Sequence, residues 1–187
     1  NNSLGYIDKI LIYPLLGVKA TAVYATATVY NKLVSLLVSP INNIILSYIS
    51  RRSKKAKNHF KLILIFGIFV SVAGYLGCKL LSEFVLKLLY PKYAEAAMPY
   101  MDITIATAMV IFCNGMLAPY VLKYCKLSIQ TMINAGCLLL YVFGVIVWNE
   151  SGGIYSVCIM ILVSNVLKTV LYVIVYQKTA IVLRSEE

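Results

Sequence analysis

The sequence predicts an all-α, polytopic transmembrane helical bundle with about five full spans plus the end of a sixth. Of its 187 residues, 61% are hydrophobic and only 13% charged, against roughly 45–50% and about 25% in soluble domains. The mean hydropathy is +0.84. A chain of this length encloses too little interior to hide so much apolar surface from water, so lipid must act as the second solvent.

Residues 4–16 are apolar but short, and they are interrupted by Asp8, Lys9 and Pro14. They are expected to be the outer end of a sixth helix whose beginning lies upstream, which makes the chain a fragment. Five longer runs follow, at 21–48, 62–81, 100–122, 127–148 and 154–176. Each provides the ~20 residues needed to cross a hydrocarbon core about 30 Å thick. The first is longer than a crossing requires, so it must tilt, kink or project, and Pro40 is the expected kink.

Orientation follows from the connections. Arg51, Arg52, Lys54, Lys55, Lys57 and Lys61 separate the first two spans, Lys123 and Lys126 the third and fourth, and Lys178 and Arg184 follow the fifth. These are ten of the seventeen basic residues, all on one side. Asp8, Glu83, Glu95 and Glu150 fall on the other, with Asp102 at the outer mouth of the third span. Lys and Arg in short loops mark the cytoplasm, so the C-terminus is expected there. Lys79, Glu83 and Lys87 stand four apart, a spacing that predicts two ion-pair steps on an outward extension of the second helix.

Four spans carry polar residues at helical spacing. The first has Thr21, Tyr24, Thr28, Asn31, Lys32, Ser35, Ser39 and Asn42, and the fifth has Asn165, Lys168, Thr169 and Tyr172. The fourth shows Gln130, Asn134, Cys137, Tyr141 and Trp148, and the third Thr104, Thr107 and Asn114. Such stripes face water or protein and not acyl chains. In the second span the periodic face is Gly67, Ser71, Gly74 and Cys78, a small-residue ridge suited to close packing. Lys79 can snorkel to the outer surface. Lys32 and Lys168 lie deeper, where a charge persists when it faces a cavity, a partner or an anionic solute.

The five cysteines lie in or beside the apolar runs without metal-ligand spacing and read as small packing residues. His59 is the only histidine, and no paired carboxylates, nucleophile elbow or phosphate loop occurs, so neither enzymatic chemistry nor a cofactor or metal is expected. The excess of positive charge sits between apolar runs, which argues against a nucleic-acid partner.

Several stretches carry a family resemblance. Ile7-Asp8-Lys9-Ile10, then Leu16-Gly17 and Ala22-Val23-Tyr24-Ala25-Thr26-Ala27, resemble the junction of the seventh and eighth helices of polysaccharide flippases. Ser39-Pro40-Ile41-Asn42-Asn43 and Tyr48-Ile49-Ser50-Arg51 resemble the end of that eighth helix, and Ser151-Gly152-Gly153-Ile154 the glycine start of the twelfth. Leu89-Tyr90-Pro91-Lys92-Tyr93-Ala94-Glu95-Ala96-Ala97 is similar to an outer loop that usually has Gly where Pro91 stands.

The family is the multidrug/oligosaccharidyl-lipid/polysaccharide exporter superfamily, and within it the O-antigen or capsule flippases. The resemblance implies that residues 1–187 form the C-terminal transmembrane lobe, partnered by an N-terminal lobe of the same protein and by membrane lipids. It implies movement of undecaprenyl-diphosphate-linked oligosaccharide across a bacterial inner membrane by alternating access. In that setting Lys32 and Lys168 are expected to attract the charged head, and Asn31, Ser35, Asn165 and Tyr172 to supply neutral hydrogen bonds. Three alternatives stand beside it: a cation-coupled multidrug antiporter, which would favour acidic groups in its cavity; a non-transporting membrane scaffold, whose polar stripes would lie in dry helix contacts; and a membrane enzyme, which would need an acid/base pair that the sequence lacks.

Overall fold

The computed structural model describes residues 4–50, 57–125 and 127–182. Arg51, Arg52, Lys54, Lys55, Lys126 and Arg184 lie outside the described residues, as do the side chains of Asp8, Lys57, His59 and Glu150. The described backbone is helical throughout apart from short connections: α1 (Leu4–Ala27), α2 (Val29–Ser50), α3 (Lys57–Leu89), a short α4 (Ala94–Ala97) running through a 3₁₀ turn into α5 (Met101–Tyr124), and α6 (Leu127–Val182). Five stretches are long and apolar enough to cross a membrane: Val29–Ser50, Phe60–Leu89, Ala94–Tyr124, Leu127–Trp148 and Gly152–Lys178. The chain is therefore an all-α bundle with multi-pass membrane architecture.

Two glycines redirect the path. Gly17, at φ 80°, interrupts α1, and Gly153, at φ 50°, folds α6 into a hairpin of two antiparallel halves. Positive φ crowds any side chain with a Cβ, which is why glycine stands at both points. The hairpin is pinned by the Ser164 hydroxyl, which donates to the Cys137 carbonyl at 2.8 Å, and by Tyr172, whose hydroxyl donates to Asn134 Oδ1 at 3.3 Å.

The expected kink at Pro40 is not where the first long run breaks. Helical hydrogen bonding is interrupted at Thr28, between α1 and α2, and α2 continues helical through Pro40. The Thr28 hydroxyl donates to the Tyr24 carbonyl at 2.9 Å and Thr26 to the Ala22 carbonyl at 2.9 Å. Hydroxyls bonded back to carbonyls one turn earlier compete with the backbone ladder and bend helices. Tyr24, Thr26 and Thr28 are all buried, so this junction is held by packing as well.

α5 is the centre. In its most apolar stretch 61% of residues are buried, against 11–22% in the other spans, and α2, α3 and α6 all pack along it. The ridge Gly67, Ser71, Gly74 and Cys78 forms the seam between α3 and α5. A Cβ at Gly67 would stand 3.4 Å from Met116 Sδ and one at Gly74 only 2.8 Å from Met109 Sδ, while Ser71 Oγ donates to the Met109 carbonyl at 3.1 Å. On the α2 side, Val38 closes directly onto the backbone of Gly115. Helices embedded in lipid gain little from apolar burial against one another, so close backbone approach and van der Waals packing hold them together.

The bundle has two chemically different ends. At one, Phe60 stacks on Tyr176 at 3.8 Å between ring centroids, with Tyr120 and Tyr124 edge-on to Tyr176 at 6.2 and 6.1 Å. The Lys123 ammonium donates to the Ile49 carbonyl there, a cation at the negative end of α2. Lys61 and Lys178 lie within two residues of this cluster. At the opposite end, Lys79 pairs with Asp102 at 3.0 Å and Lys87 with Glu83 at 2.6 Å. Only one of the two expected ion-pair steps along α3 forms, because Asp102 on α5 takes Lys79 across the helix seam.

Gly115 is the sharpest packing constraint. Gly115→Ala should lower thermal stability by about 1–3 kcal/mol through overpacking. Gly77→Ala, where a Cβ meets nothing within 4 Å, should be neutral or slightly stabilising. Thermal melts of the full-length protein in detergent, comparing the two variants, check this.

Candidate functional site

The site is built from the flank of α2, the α6 hairpin and the space between them beside α5. α2 presents three faces. Val34, Val38, Ile45 and Ile49 turn toward α5, and Leu33, Leu36, Leu37 and Ile44 form an exposed apolar strip. Between them runs a polar flank in which Lys32, Ser35 and Ser39 are exposed and Asn31 and Asn42 half-buried. Tyr30 lies on the side of α2 that meets Cys78 of α3. At about 100° per residue, Asn31, Ser35 and Asn42 then fall on the side turned away from α3.

That side looks toward α6. Around α5, Gly115 meets α2, Met109 and Met116 meet α3, and Asn114 meets the second half of α6. α2 and α6 both pack along α5 but barely touch each other. At the end opposite the aromatic cluster α1 bridges them: Ile12 and Tyr24 are wedged against Tyr141, Val145, Val157 and Cys158 of the hairpin, and the chain then continues into α2. The intervening space is thus roofed by α1 at the end that carries the described carboxylates.

The polar stripe of α6 divides in two. One part is spent on packing: Asn114 Nδ2 donates to the Asn165 carbonyl at 3.0 Å, Thr169 Oγ1 donates to Asn114 Oδ1 at 2.7 Å, and Asn165 Nδ2 donates to the Ile161 carbonyl at 2.8 Å. Asn165, expected to meet solute, is committed to the α5–α6 seam, because an amide in a helix contact within lipid finds no water to bond. The other part is Lys168, half-buried, whose ammonium lies 5.6 Å from the centroid of the buried Tyr172 ring. The Tyr172 hydroxyl is held by Asn134 and Gln130 of the facing half-helix. Asn134 belongs beside the expected residues; its four-residue spacing from Gln130 on an otherwise apolar helix was the signal for it.

The two deep lysines come out at nearly the same depth. Val38 lies against Gly115 and Thr169 bonds to Asn114 on parallel helices. Lys32 therefore stands level with residue 109 of α5 and Lys168 with residue 113, about 6 Å apart along the bundle axis. Among the described residues neither ammonium meets a carboxylate, since Asp102 and Glu83 are engaged with Lys79 and Lys87. Ser35 is also on this flank, its hydroxyl donating to the Lys32 carbonyl at 2.8 Å.

Two grooves elsewhere are apolar. One of about 410 Å³ lies between α3, α5 and α6; Ser71, Tyr75 and Thr169 line it, and the Ser71 and Thr169 hydroxyls are bonded within the protein. The other, about 450 Å³, runs along the α6 hairpin past Met132, Gly136, Cys137, Leu167 and Leu171. Both offer mainly hydrocarbon surface. Among the described residues no three His, Cys, Asp or Glu side chains come together as metal ligands. No family model, curated protein or solved structure matches this chain.

The Asn114 seam can be tested directly. Asn114→Leu strands the Thr169 hydroxyl and the Asn165 carbonyl, and a double-mutant cycle with Thr169→Val should return a coupling of about 0.6–1.7 kcal/mol. Strict additivity in unfolding of the full-length protein would show that the hydrogen bond contributes nothing.

Proposed function

We propose that this chain is the C-terminal lobe of a flippase that carries a diphosphate-linked, polyprenyl-anchored oligosaccharide across a bacterial inner membrane by alternating access, without covalent chemistry. The observation that carries the reading is the pair Lys32 and Lys168, level within the bilayer, unneutralised, and flanking a space that α2 and α6 leave unpacked. A cation at that depth costs a few kcal/mol even on the lenient insertion scale, and a site that repeatedly receives an anion offsets that cost. The lysines give such a solute point charges, the polar flank of α2 gives it hydrogen bonds, and the apolar grooves outside leave its lipid tail in hydrocarbon.

The basic end of the bundle is assigned to the cytoplasm by the excess of Lys and Arg, which places the α1 roof on the outer side. In that orientation the site opens inward, where the loaded lipid is collected. Alternating access then requires α1 and the outer ends of α2 and α6 to part. The motif resemblance supports the same substrate class. The absence of a mid-span carboxylate among the described residues favours this reading over a cation-coupled drug antiporter.

One observation favours a second reading. The Asn114–Asn165–Thr169 seam is a dry helix contact, the mark of a lobe that assembles without transporting. Access to water separates the two. In a full-length protein cleared of native cysteines, Ser35→Cys should react with a membrane-impermeant maleimide and Asn165→Cys should be protected.

Charge removal tests the transport reading. At matched protein levels, Lys32→Gln and Lys168→Gln should each cut surface polysaccharide to about one-fifth or less, with Lys168→Arg retaining most of it. Wild-type export in both Gln variants would remove these residues from the mechanism.

A further inference from the structure

The 410 Å³ groove between α3, α5 and α6 ends beneath a charged rim. Ile68, Val72 and Val166 at its edges are exposed, while Met109 and Cys113 of α5 behind them are buried. On α3 the lining residues recur at steps of three and four up to Tyr75, and one further turn on that face is Lys79. On α5, one turn back from Ala106 of the lining is Asp102. These two side chains pair at 3.0 Å and are still 51% and 60% exposed. The Lys79 ammonium lies 5.9 Å from the centroid of the Tyr75 ring, which ties the ion pair to the groove. Depth sets the scale. Lys79 stands eighteen residues beyond Lys61 at the aromatic end, about 27 Å along α3, close to a hydrocarbon thickness of about 30 Å. The rim is therefore at headgroup level. From Lys79 down to Ile68 is eleven residues, about 16 Å, the reach of one leaflet.

We infer that this groove holds one acyl chain of a phospholipid whose zwitterionic headgroup completes the rim, its phosphate toward Lys79 and its ethanolamine ammonium toward Asp102. The Ser71 and Thr169 hydroxyls are already bonded within the protein, so a hydrocarbon chain strands no polar group by lying against them. The groove's extent matches a single lipid chain, whereas a neighbouring spanning helix would run the full depth to the aromatic end. The rim chooses the headgroup. Its two charges cancel, so an anionic headgroup gains from Lys79 and loses to Asp102, while a headgroup of both signs matches each. An ethanolamine ammonium, like that of lysine, also donates hydrogen bonds to a carboxylate, which the N–H-free ammonium of choline does not. An exposed ion pair contributes little to stability, so opening it to admit the headgroup costs little. This lipid site stands independently of the transport reading.

The test is native mass spectrometry of the full-length protein in detergent, with phosphatidylethanolamine, phosphatidylcholine and phosphatidylglycerol of matched palmitoyl and oleoyl chains. The wild type should retain the ethanolamine lipid about three- to fivefold more strongly than the glycerol lipid, the size of an exposed ionic contact, with the choline lipid between them. Asp102→Asn should remove that preference. Ala106→Phe, which fills the groove, should weaken retention of all three about fivefold or more, and Gly77→Ala, outside the lining, should change nothing. Melting temperatures without added lipid establish that each variant is folded; should Ala106→Phe fail there, Val72→Trp at the exposed edge supplies the same block. Equal retention of the ethanolamine and glycerol lipids by the wild type, or undiminished retention in a folded groove-filling variant, would overturn the proposal. So would a dimer that the groove-filling variant disperses, which would make a second copy the occupant, or displacement of the ethanolamine lipid by an equal concentration of a polyprenyl phosphate, which would give the groove to an isoprenoid.

Discussion

Val38 closing on Gly115, the α3 glycines closing on Met109 and Met116, and Asn114 bonded to Asn165 and Thr169 are one constraint met three times. α5 must touch three neighbours with no water to fill a gap or satisfy a stranded group. In lipid the hydrophobic effect does not drive helices together, so shape and internally paired polar groups carry the association. Small residues therefore recur wherever a backbone approaches, and the two threonine hydroxyls of α5 are turned back onto their own helix. Thr104 donates to the Met101 carbonyl and Thr107 to the Ile103 carbonyl.

The same constraint makes the exceptions informative. Where the fold can satisfy polar groups it does, as at the α5–α6 seam and in the Lys79–Asp102 and Lys87–Glu83 ion pairs. The α2 flank and Lys168 are treated differently. Among the described residues the Asn31 and Asn42 amide oxygens meet no hydrogen-bond donor, and Lys168 lies beside the Tyr172 ring and the Cys137 thiol without a carboxylate. A bundle evolved for packing alone would replace these residues with Leu or Ala at a gain in stability, so their retention is physically coherent with a ligand or partner that completes them.

The ends of the bundle fit that division of labour. The aromatic cluster of Phe60, Tyr120, Tyr124 and Tyr176 locks α3, α5 and α6 together at the basic end. At the other end α1 lies across the hairpin, with path changes at Gly17 and Thr28 on either side of Tyr24. One end is thus locked by rings from three helices, and the other is covered by a single helix that changes direction twice.

Composition and apolar run length by themselves determined the membrane class and the five spans, because a lipid solvent demands ~20 apolar residues per crossing and forbids irregular backbone. The small-residue ridge of α3 was legible for the same reason: only close packing explains Gly67, Ser71, Gly74 and Cys78 at helical spacing. What periodicity does not contain is the identity of the neighbour. A stripe of Asn, Thr and Tyr reads the same whether it faces water or another helix, and only the tertiary arrangement separated Asn165, spent against Asn114, from Lys168, one residue turn aside and unneutralised. The break at Thr28 in place of Pro40, and the pairing of Lys79 with Asp102 in place of Glu83, were decided there as well. Each depends on contacts between residues far apart in the chain, and a local pattern cannot encode them.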